Sequence, residues 1–267
     1  MDKGEKNLKY PVLLVHGFGF RDGKRINYWG RIPNALRELG CRVFYGNQDS
    51  CASIEDNARF LKERVEQVLT ETGAEKVNII AHSKGGLEAR YMISRLSSAD
   101  KVASLTTIAT PHRGSVTIEK VPKFVLKFLG FFMNIWMRIL GDRRPDAYKA
   151  YLSFRADYAE KFNEETPDCP EVWYQSYAFS MKHDILLWLT HCIIKKYEGE
   201  NDGLVSVKSA EWGEFKGIVR SNSKRGISHC DEVDLRRRRF TKKTGDGVSD
   251  ILEVYREIAS ALFKRGF

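Results

Sequence analysis

The chain of 267 residues has no uninterrupted run of the ~20 apolar residues that a bilayer-crossing helix needs. Its most apolar stretch, residues 124–140, follows Pro122 and Lys123 and is interrupted by Lys127, Asn134 and Arg138, which argues against a spanning helix. Glycine-rich phosphate loops are missing, so no nucleotide or redox cofactor is implied. The five cysteines, Cys41, Cys51, Cys169, Cys192 and Cys230, are an odd number with neither a pairing pattern nor metal-ligand spacing, which favours a reducing compartment. Residues 1–6 are polar and the first apolar run already reads as a strand, so no signal peptide is visible. A cytoplasmic location is expected if the chain is complete, and secretion if a leader has been removed. Internal repeats and low-complexity linkers are also missing, and one domain over residues 1–267 accounts for the length.

What the chain does have is positive charge. Lys and Arg number 44 against 35 Asp and Glu, a net charge of +9, which favours anionic surfaces. The excess is concentrated in Arg236-Arg237-Arg238-Arg239, with Lys242 and Lys243 close behind. No aromatic-basic pattern of the known nucleic-acid modules surrounds this block, so no nucleic-acid partner is expected. Anionic lipid headgroups and a plain solvated loop are the two readings left for it.

Hydrophobic periodicity predicts strands near 12–16, 42–46, 77–81, 103–109 and 172–179, and helices near 28–39, 53–71, 86–97 and 247–264. Ser53-Ile54-Glu55-Asp56 reads as a helix start and Gly73 as its stop. Alternation of this kind implies an α/β fold with a mostly parallel central sheet flanked by helices.

The strand at 77–81 runs into Ala81-His82-Ser83-Lys84-Gly85, a serine with small residues at i−2 and i+2. Such a spacing permits a tight strand-to-helix turn that lifts the Ser83 hydroxyl above the sheet as a nucleophile. A serine capping the next helix is the plainer alternative. The first strand ends in His16-Gly17-Phe18, the kind of loop that supplies a backbone N–H to a developing oxyanion. Phe18 and Lys84 are the expected oxyanion donors, the Lys84 amide gaining from the dipole of the helix it begins.

A base must activate the serine, and the order serine, acid, histidine leaves His112, His183, His191 and His229 of the six histidines. His229 sits in a loop just before the last helical pattern and is the expected base. Asp202, in Asn201-Asp202-Gly203, is the expected acid, although Asp-Gly is also an ordinary turn signal.

Taken together, Val15-His16-Gly17-Phe18-Gly19-Phe20, Ala81-His82-Ser83-Lys84-Gly85-Gly86, Thr110-Pro111-His112-Arg113-Gly114-Ser115, Asp202-Gly203-Leu204-Val205 and His229-Cys230-Asp231-Glu232-Val233 resemble the bacterial triacylglycerol lipases of the α/β-hydrolase superfamily. The match is close from residue 10 to about 115 and looser from 172 to 234. It implies a serine ester hydrolase acting on lipidic esters through a triad of Ser83, Asp202 and His229, with a lipid ester as substrate. A carboxylesterase or acyl-thioesterase for shorter acyl groups, and a non-catalytic protein that binds membrane surfaces on the same fold, are the competing readings. Lys84 departs from the family at that position. Either its ammonium lies at the site mouth and biases the enzyme toward anionic esters, or only its amide matters.

Residues 116–170 exceed a minimal hydrolase and are read as a helical lid insertion, since long connections that carry structure of their own are usually functional. The apolar run within it wraps most of a helix circumference, so it is expected to cover an acyl pocket and to meet lipid when open. Phe18, Phe20 and Trp29 are the expected pocket-lining residues. The resemblance also implies a structural calcium near the histidine loop, with Asp184 and Asp231 as ligands. Leu235 stands where the family places a further amide-bearing side chain, and the two aspartates would otherwise be surface carboxylates paired with the arginines.

Overall fold

The computed structural model describes residues 8–22, 27–242 and 245–267, so Lys243 of the basic block lies outside the described residues. Six strands form one parallel sheet in the order β2-β1-β3-β4-β5-β6: β1 Val12–Val15, β2 Val43–Tyr45, β3 Val77–His82, β4 Val102–Ile108, β5 Trp173–Phe179 and β6 Glu214–Val219. The helices are α1 Ile32–Arg37, α2 Ile54–Thr72, α3 Lys84–Arg95, α4 Val116–Glu119, α5 Lys123–Ile139, α6 Ala147–Leu152, α7 Ala156–Glu165, α8 Trp188–Tyr197, α9 Val207–Ala210 and α10 Ile251–Lys264.

Parallel strands covered on both faces are apolar at successive positions, and the side-chain alternation sorts those residues between two cores. Val12, Leu14 and Ile80 face the layer that holds Trp29, Leu36 of α1, and Tyr255 and Ile258 of α10. Leu13, Val15, Ile79 and Ala81 face the layer of α2 and α3 with Leu61, Val65, Met92 and Ile93. Each fully buried aliphatic side chain of this kind contributes about 1.5–3 kcal/mol relative to exposure. The sheet that carries the site is thus clamped from both sides.

The five strands expected from periodicity are present within one or two residues, and β6 is an addition. It is an edge strand whose residues are half-exposed and include Glu214 and Lys216, with Gly217 at φ +97° beside a register shift, so its sequence carries no apolar alternation. Helix α2 begins as read: the Ser53 side chain accepts from the Asp56 amide at 3.1 Å, and Gly73 closes it in the left-handed region at φ 67°. The final helix starts later than expected, at Ile251, because Asp250 and Glu253 form a reciprocal capping box there.

The segment between β4 and β5, read above as an insertion, holds α4 to α7. Its α5 turns Leu126, Gly130 and Met137 toward the body, while Phe124, Phe128, Phe131 and Ile139 are exposed at 75, 64, 62 and 72%. The expectation that the apolar stretch covers an acyl pocket is therefore corrected: most of its residues face solvent and only Leu126, Gly130 and Met137 are buried. No described helix is long and apolar enough to cross a membrane. The foot of α5 is tied down by a reciprocal arrangement: Asp142 accepts from the Ser50 and Cys51 amides at 3.0 and 2.9 Å, and Asp49 accepts from the Arg143 and Arg144 amides at 2.8 and 2.7 Å.

Candidate active site

Ser83 joins β3 to α3 with φ 53° and ψ −128°, an orientation that costs a non-glycine residue on the order of 1–3 kcal/mol. The surroundings hold it there. Its amide donates to the Ile108 carbonyl at 2.9 Å. A Cβ on Gly85 would lie 2.5 Å from the His16 carbonyl oxygen and 2.7 Å from that of Val15, so only glycine lets α3 start this close to β1. Likewise a Cβ on Gly17 would lie 2.9 Å from both Ser83 Cβ and Tyr28 Oη. The loop after β1 and the turn after β3 therefore pack backbone against backbone, as two converging N–H donors require. Lys84 opens α3, where the first-turn amides lack intrahelical acceptors.

His229 is brought to the same place from the other end of the chain. Its Nδ1 lies 2.8 Å from Asp202 Oδ2, and its amide donates to the Asp202 carbonyl at 3.0 Å, so ring and backbone are fixed by one residue. Asp202 in turn accepts through Oδ1 from the Leu204 and Val205 amides, both at 2.8 Å. Burial pushes its carboxyl up, but the His229 ring and these two amides outweigh that and leave it below the usual carboxylate range. Asn201 steadies the turn by accepting from the Gly203 amide at 2.9 Å and meeting His191 Nδ1 at 2.8 Å. The other candidate bases are engaged elsewhere: His112 is buried and stacked on Trp212, and His183 packs on Trp188.

Ser83 and His229 line one cavity of about 250 Å³, whose walls are mostly apolar and include Phe18, Phe20, Tyr28, Val205, Val233 and Leu235. The insertion contributes Thr117, Ile118, Tyr151 and Phe154 to it, whereas α5 contributes none of the lining. Phe18 closes one side, with its ring centroid 5.2 Å from that of Tyr151 and 6.0 Å from that of Phe154. Trp29 corrects the expectation of a pocket wall. It is fully buried in the core, edge-on to Tyr255 at 6.3 Å, and its neighbour Tyr28 takes the place beside the cavity.

Lys84 brings a second correction. Its side chain is fully buried, with Nζ paired to Glu88, which also accepts from Asn57 Nδ2 at 2.7 Å and Gln48 Nε2 at 3.2 Å. The ammonium is enclosed with Glu88, does not line the cavity, and offers nothing to an anionic ester. The pair serves the loop after β1 instead, since Gln48 Nε2 also donates to the His16 carbonyl at 2.9 Å.

A buried network behind the site escapes sequence reasoning. The Gly17 amide donates to Tyr28 Oη at 3.1 Å, Tyr28 Oη lies 2.7 Å from His82 Nδ1, and His82 Nε2 lies 2.9 Å from Glu232 Oε2. Glu232 is wholly buried, and burial first, then the nearby Asp202 charge, hold its carboxyl well above the usual range. Glu232 Oε2 therefore accepts from His82 Nε2 while the carboxyl sits beside the Asp202 charge. His82 is neutral as well, because burial and then the adjacent His229 ring drive its pKa well below the ordinary value. With the proton on Nε2, the three bonds run in one sense: Gly17 N–H to Tyr28, Tyr28 O–H to His82, His82 N–H to Glu232. The sole sequence signal was the offset of three between His229 and Glu232, which has no meaning until the loop is folded. Among the described residues, His82, His229 and Glu232 are also the one trio with metal-ligating atoms within 4.8 Å of one another, and these hydrogen bonds already occupy it.

Asp184 and Asp231 do converge, but around a guanidinium. Arg236 pairs with Asp184 through Nη2 and with Asp231 Oδ1 through Nη1 at 2.6 Å, and Arg225 adds a contact to Asp184 Oδ2 at 2.8 Å. The remaining oxygens accept from the Leu186 amide at 3.0 Å and Ser228 Oγ at 2.8 Å. Two carboxylates balanced by two guanidiniums, with Leu235 unable to ligate, do not fit a hard divalent cation, which seeks six to eight free oxygens.

The fold and the strained serine define an α/β hydrolase. Residues 10–144 match the alpha/beta hydrolase fold family, and the chain belongs to that family. Within it, the chain is 38% identical over 265 residues to a triacylglycerol lipase of Vibrio cholerae, covering 87% of this chain and 82% of that one. It is 29% identical to triacylglycerol lipase 2 of Saccharomyces cerevisiae over 100% of this chain and 79% of that protein. Among solved structures, Staphylococcus hyicus lipase aligns with a TM-score of 0.72 over 99% of this chain and 98% of that one at 18% identity. A metagenomic carboxyl esterase aligns with a TM-score of 0.74 over 97% and 77% at 18% identity; both alignments speak to the fold. The protein is a serine ester hydrolase of the lipase type.

Proposed function

We propose that Ser83, His229 and Asp202 form the catalytic triad and that the substrate is a lipidic ester whose acyl chain occupies the cavity beside Phe18 and Val233. The observation that carries this reading is the 2.8 Å bond between His229 Nδ1 and Asp202 Oδ2 behind a cavity that also holds the strained Ser83. With Nδ1 committed, Nε2 is the nitrogen that takes the Ser83 proton as Oγ attacks the ester carbonyl. The oxyanion is received by the Phe18 and Lys84 amides, whose convergence the close approach at Gly17 and Gly85 supports. His229 then returns the proton to the leaving alcohol, and a water activated by the same ring releases the acid from the acyl-serine. Asp202, kept ionised by its surroundings, stabilises the imidazolium in both halves. These steps use side chains and backbone alone.

At about 250 Å³ the cavity lies just under the ~300–1,000 Å³ typical of small-molecule pockets. That size favours short or medium acyl chains and keeps a carboxylesterase as the second reading. The exposed apolar face of α5, flanked by Lys123, Lys127 and Arg138, supports peripheral contact with lipid aggregates, with the insertion as the lid. Hydrolysis of a nitrophenyl ester series from acetyl to palmitoyl, comparing wild type with Ser83→Ala, tests the proposal. Activity that is lost in the variant and peaks at medium chains supports it. Activity confined to acetyl and propionyl esters would favour the esterase, and activity surviving in Ser83→Ala would overturn the triad.

A further inference from the structure

We infer that Arg236 is a built-in cation that locks the loop carrying His229, doing with a guanidinium what the lipase resemblance assigns to calcium. The inference rests on the reading of His229 as the base. Asp184 lies in the segment after β5, which meets the histidine loop at the Met181 and Gly226 bridge. Asp231 lies two positions past His229, and Ser228 one position before it. Arg236 bonds all three: Asp184 through Nη2, Asp231 Oδ1 at 2.6 Å and Ser228 Oγ at 3.2 Å through Nη1. Ser228 is closed onto Asp231 by a further bond at 2.8 Å, so the residues on both sides of His229 belong to one unit.

A planar fork with fixed donors suits this task. It meets two carboxylates at once, cannot lose its charge near neutral pH and cannot be chelated. The pair is also well sheltered, with Asp184 only 2% exposed at its side chain and Arg236 23%. On the opposite flank of the loop, Arg31 clasps Asp234 through Nη2 at 2.7 Å and Asp250 through Nη1 at 3.0 Å, tying the loop to the start of α10. Two arginines therefore pin the loop at Ser228, Asp231 and Asp234, residues that bracket His229 in the chain. A divalent ion added at Asp184 and Asp231 would have to displace Arg236 and face the Arg225 charge.

Arg236 is accordingly a positioning residue, and it also removes one arginine from any surface-binding role of the basic block. The test uses the purified full chain. Wild-type melting temperature and nitrophenyl butyrate turnover are measured with EDTA and with added calcium, and both are expected to stay unchanged. A fall in melting temperature with EDTA, or a rise with calcium, would overturn the inference, and neither readout depends on the triad assignment. Arg236→Ala is expected to lower kcat on the order of 10- to 100-fold with KM retained, as expected for a misplaced catalytic group. With Asp231 freed and Asp184 left to Arg225 alone, its melting temperature should also rise with calcium. Arg236→Lys, whose point charge cannot bridge both aspartates, is the variant to read if Arg236→Ala fails to fold, and its kcat should fall in the same sense. Wild-type kcat in either variant would also overturn the inference.

Discussion

His82 Nε2 lies 2.9 Å from Glu232 Oε2, which joins the residue before the strained serine to a residue three positions past His229. The contact joins residues 150 positions apart and sets a buried carboxyl beside the Asp202 charge. Because the chain of hydrogen bonds continues through Tyr28 to the Gly17 amide, the loop after β1 and the loop that carries His229 belong to one buried unit.

The hydroxyl of Tyr28 is the link nearest the proposed oxyanion donors. Tyr28→Phe leaves the buried Gly17 N–H without its partner, at a cost of about 1–3 kcal/mol. We expect a lower melting temperature and a lower kcat, by less than the ~100- to 1,000-fold that follows loss of an oxyanion donor itself. Steady-state kinetics on nitrophenyl butyrate beside a thermal melt would show it. A variant indistinguishable from wild type in both would mean that the network does not support the loop.

Glu232 should make stability depend on pH in a defined sense. Its folded pKa is raised above an unfolded value of about 4.3, so its contribution is complete below that pH and is lost as pH rises through the raised value. Glu232→Gln offers the same donor and acceptor without a titrating proton. Relative to wild type, its melting temperature should therefore climb as pH rises from about 4.3 toward the raised value. Parallel pH curves for the two proteins would contradict the assignment of a neutral, buried acid.

Asp202→Asn keeps an oxygen for the Leu204 and Val205 amides but cannot hold the His229 tautomer as a carboxylate does. Activity is expected to fall ~10,000-fold, as for the loss of a triad carboxylate. Labelling of Ser83 by a fluorophosphonate should slow in parallel. Unchanged labelling would place the acid elsewhere.

The outward face of α5 should matter for aggregated substrate alone. Phe128→Ser combined with Phe131→Ser removes two side chains that are 64 and 62% exposed, so folding stability should stay within about 0.5 kcal/mol per site. Turnover of a soluble nitrophenyl ester should be retained. Binding to lipid vesicles should weaken by tenfold or more, because burying a Phe in an apolar phase contributes roughly 1.5–3 kcal/mol. Equal sedimentation of variant and wild type with vesicles would assign that face another role.

The sequence by itself determined the elements whose cause is local. Apolar runs placed β1 to β5, since a strand buried on both faces must be apolar at successive positions, and small residues around Ser83 specified the turn because only they let α3 begin against β1. Ser83, Asp202 and His229 stood out for the same reason, each being marked by its own turn chemistry and by chain order, and the fold sets Ser83 and His229 at one cavity with His229 on Asp202. Tertiary structure decided everything that depends on which side chains meet across the fold. It buried the Lys84 ammonium on Glu88, put Trp29 in the core and Tyr28 at the cavity, and turned the outer face of α5 to solvent. It also brought Glu232 beside Asp202 and set Arg236 between Asp184 and Asp231. Charge in a sequence has no partner until the chain has folded, and the pairing, not the residue type, separated a structural arginine from its neighbours in the basic block.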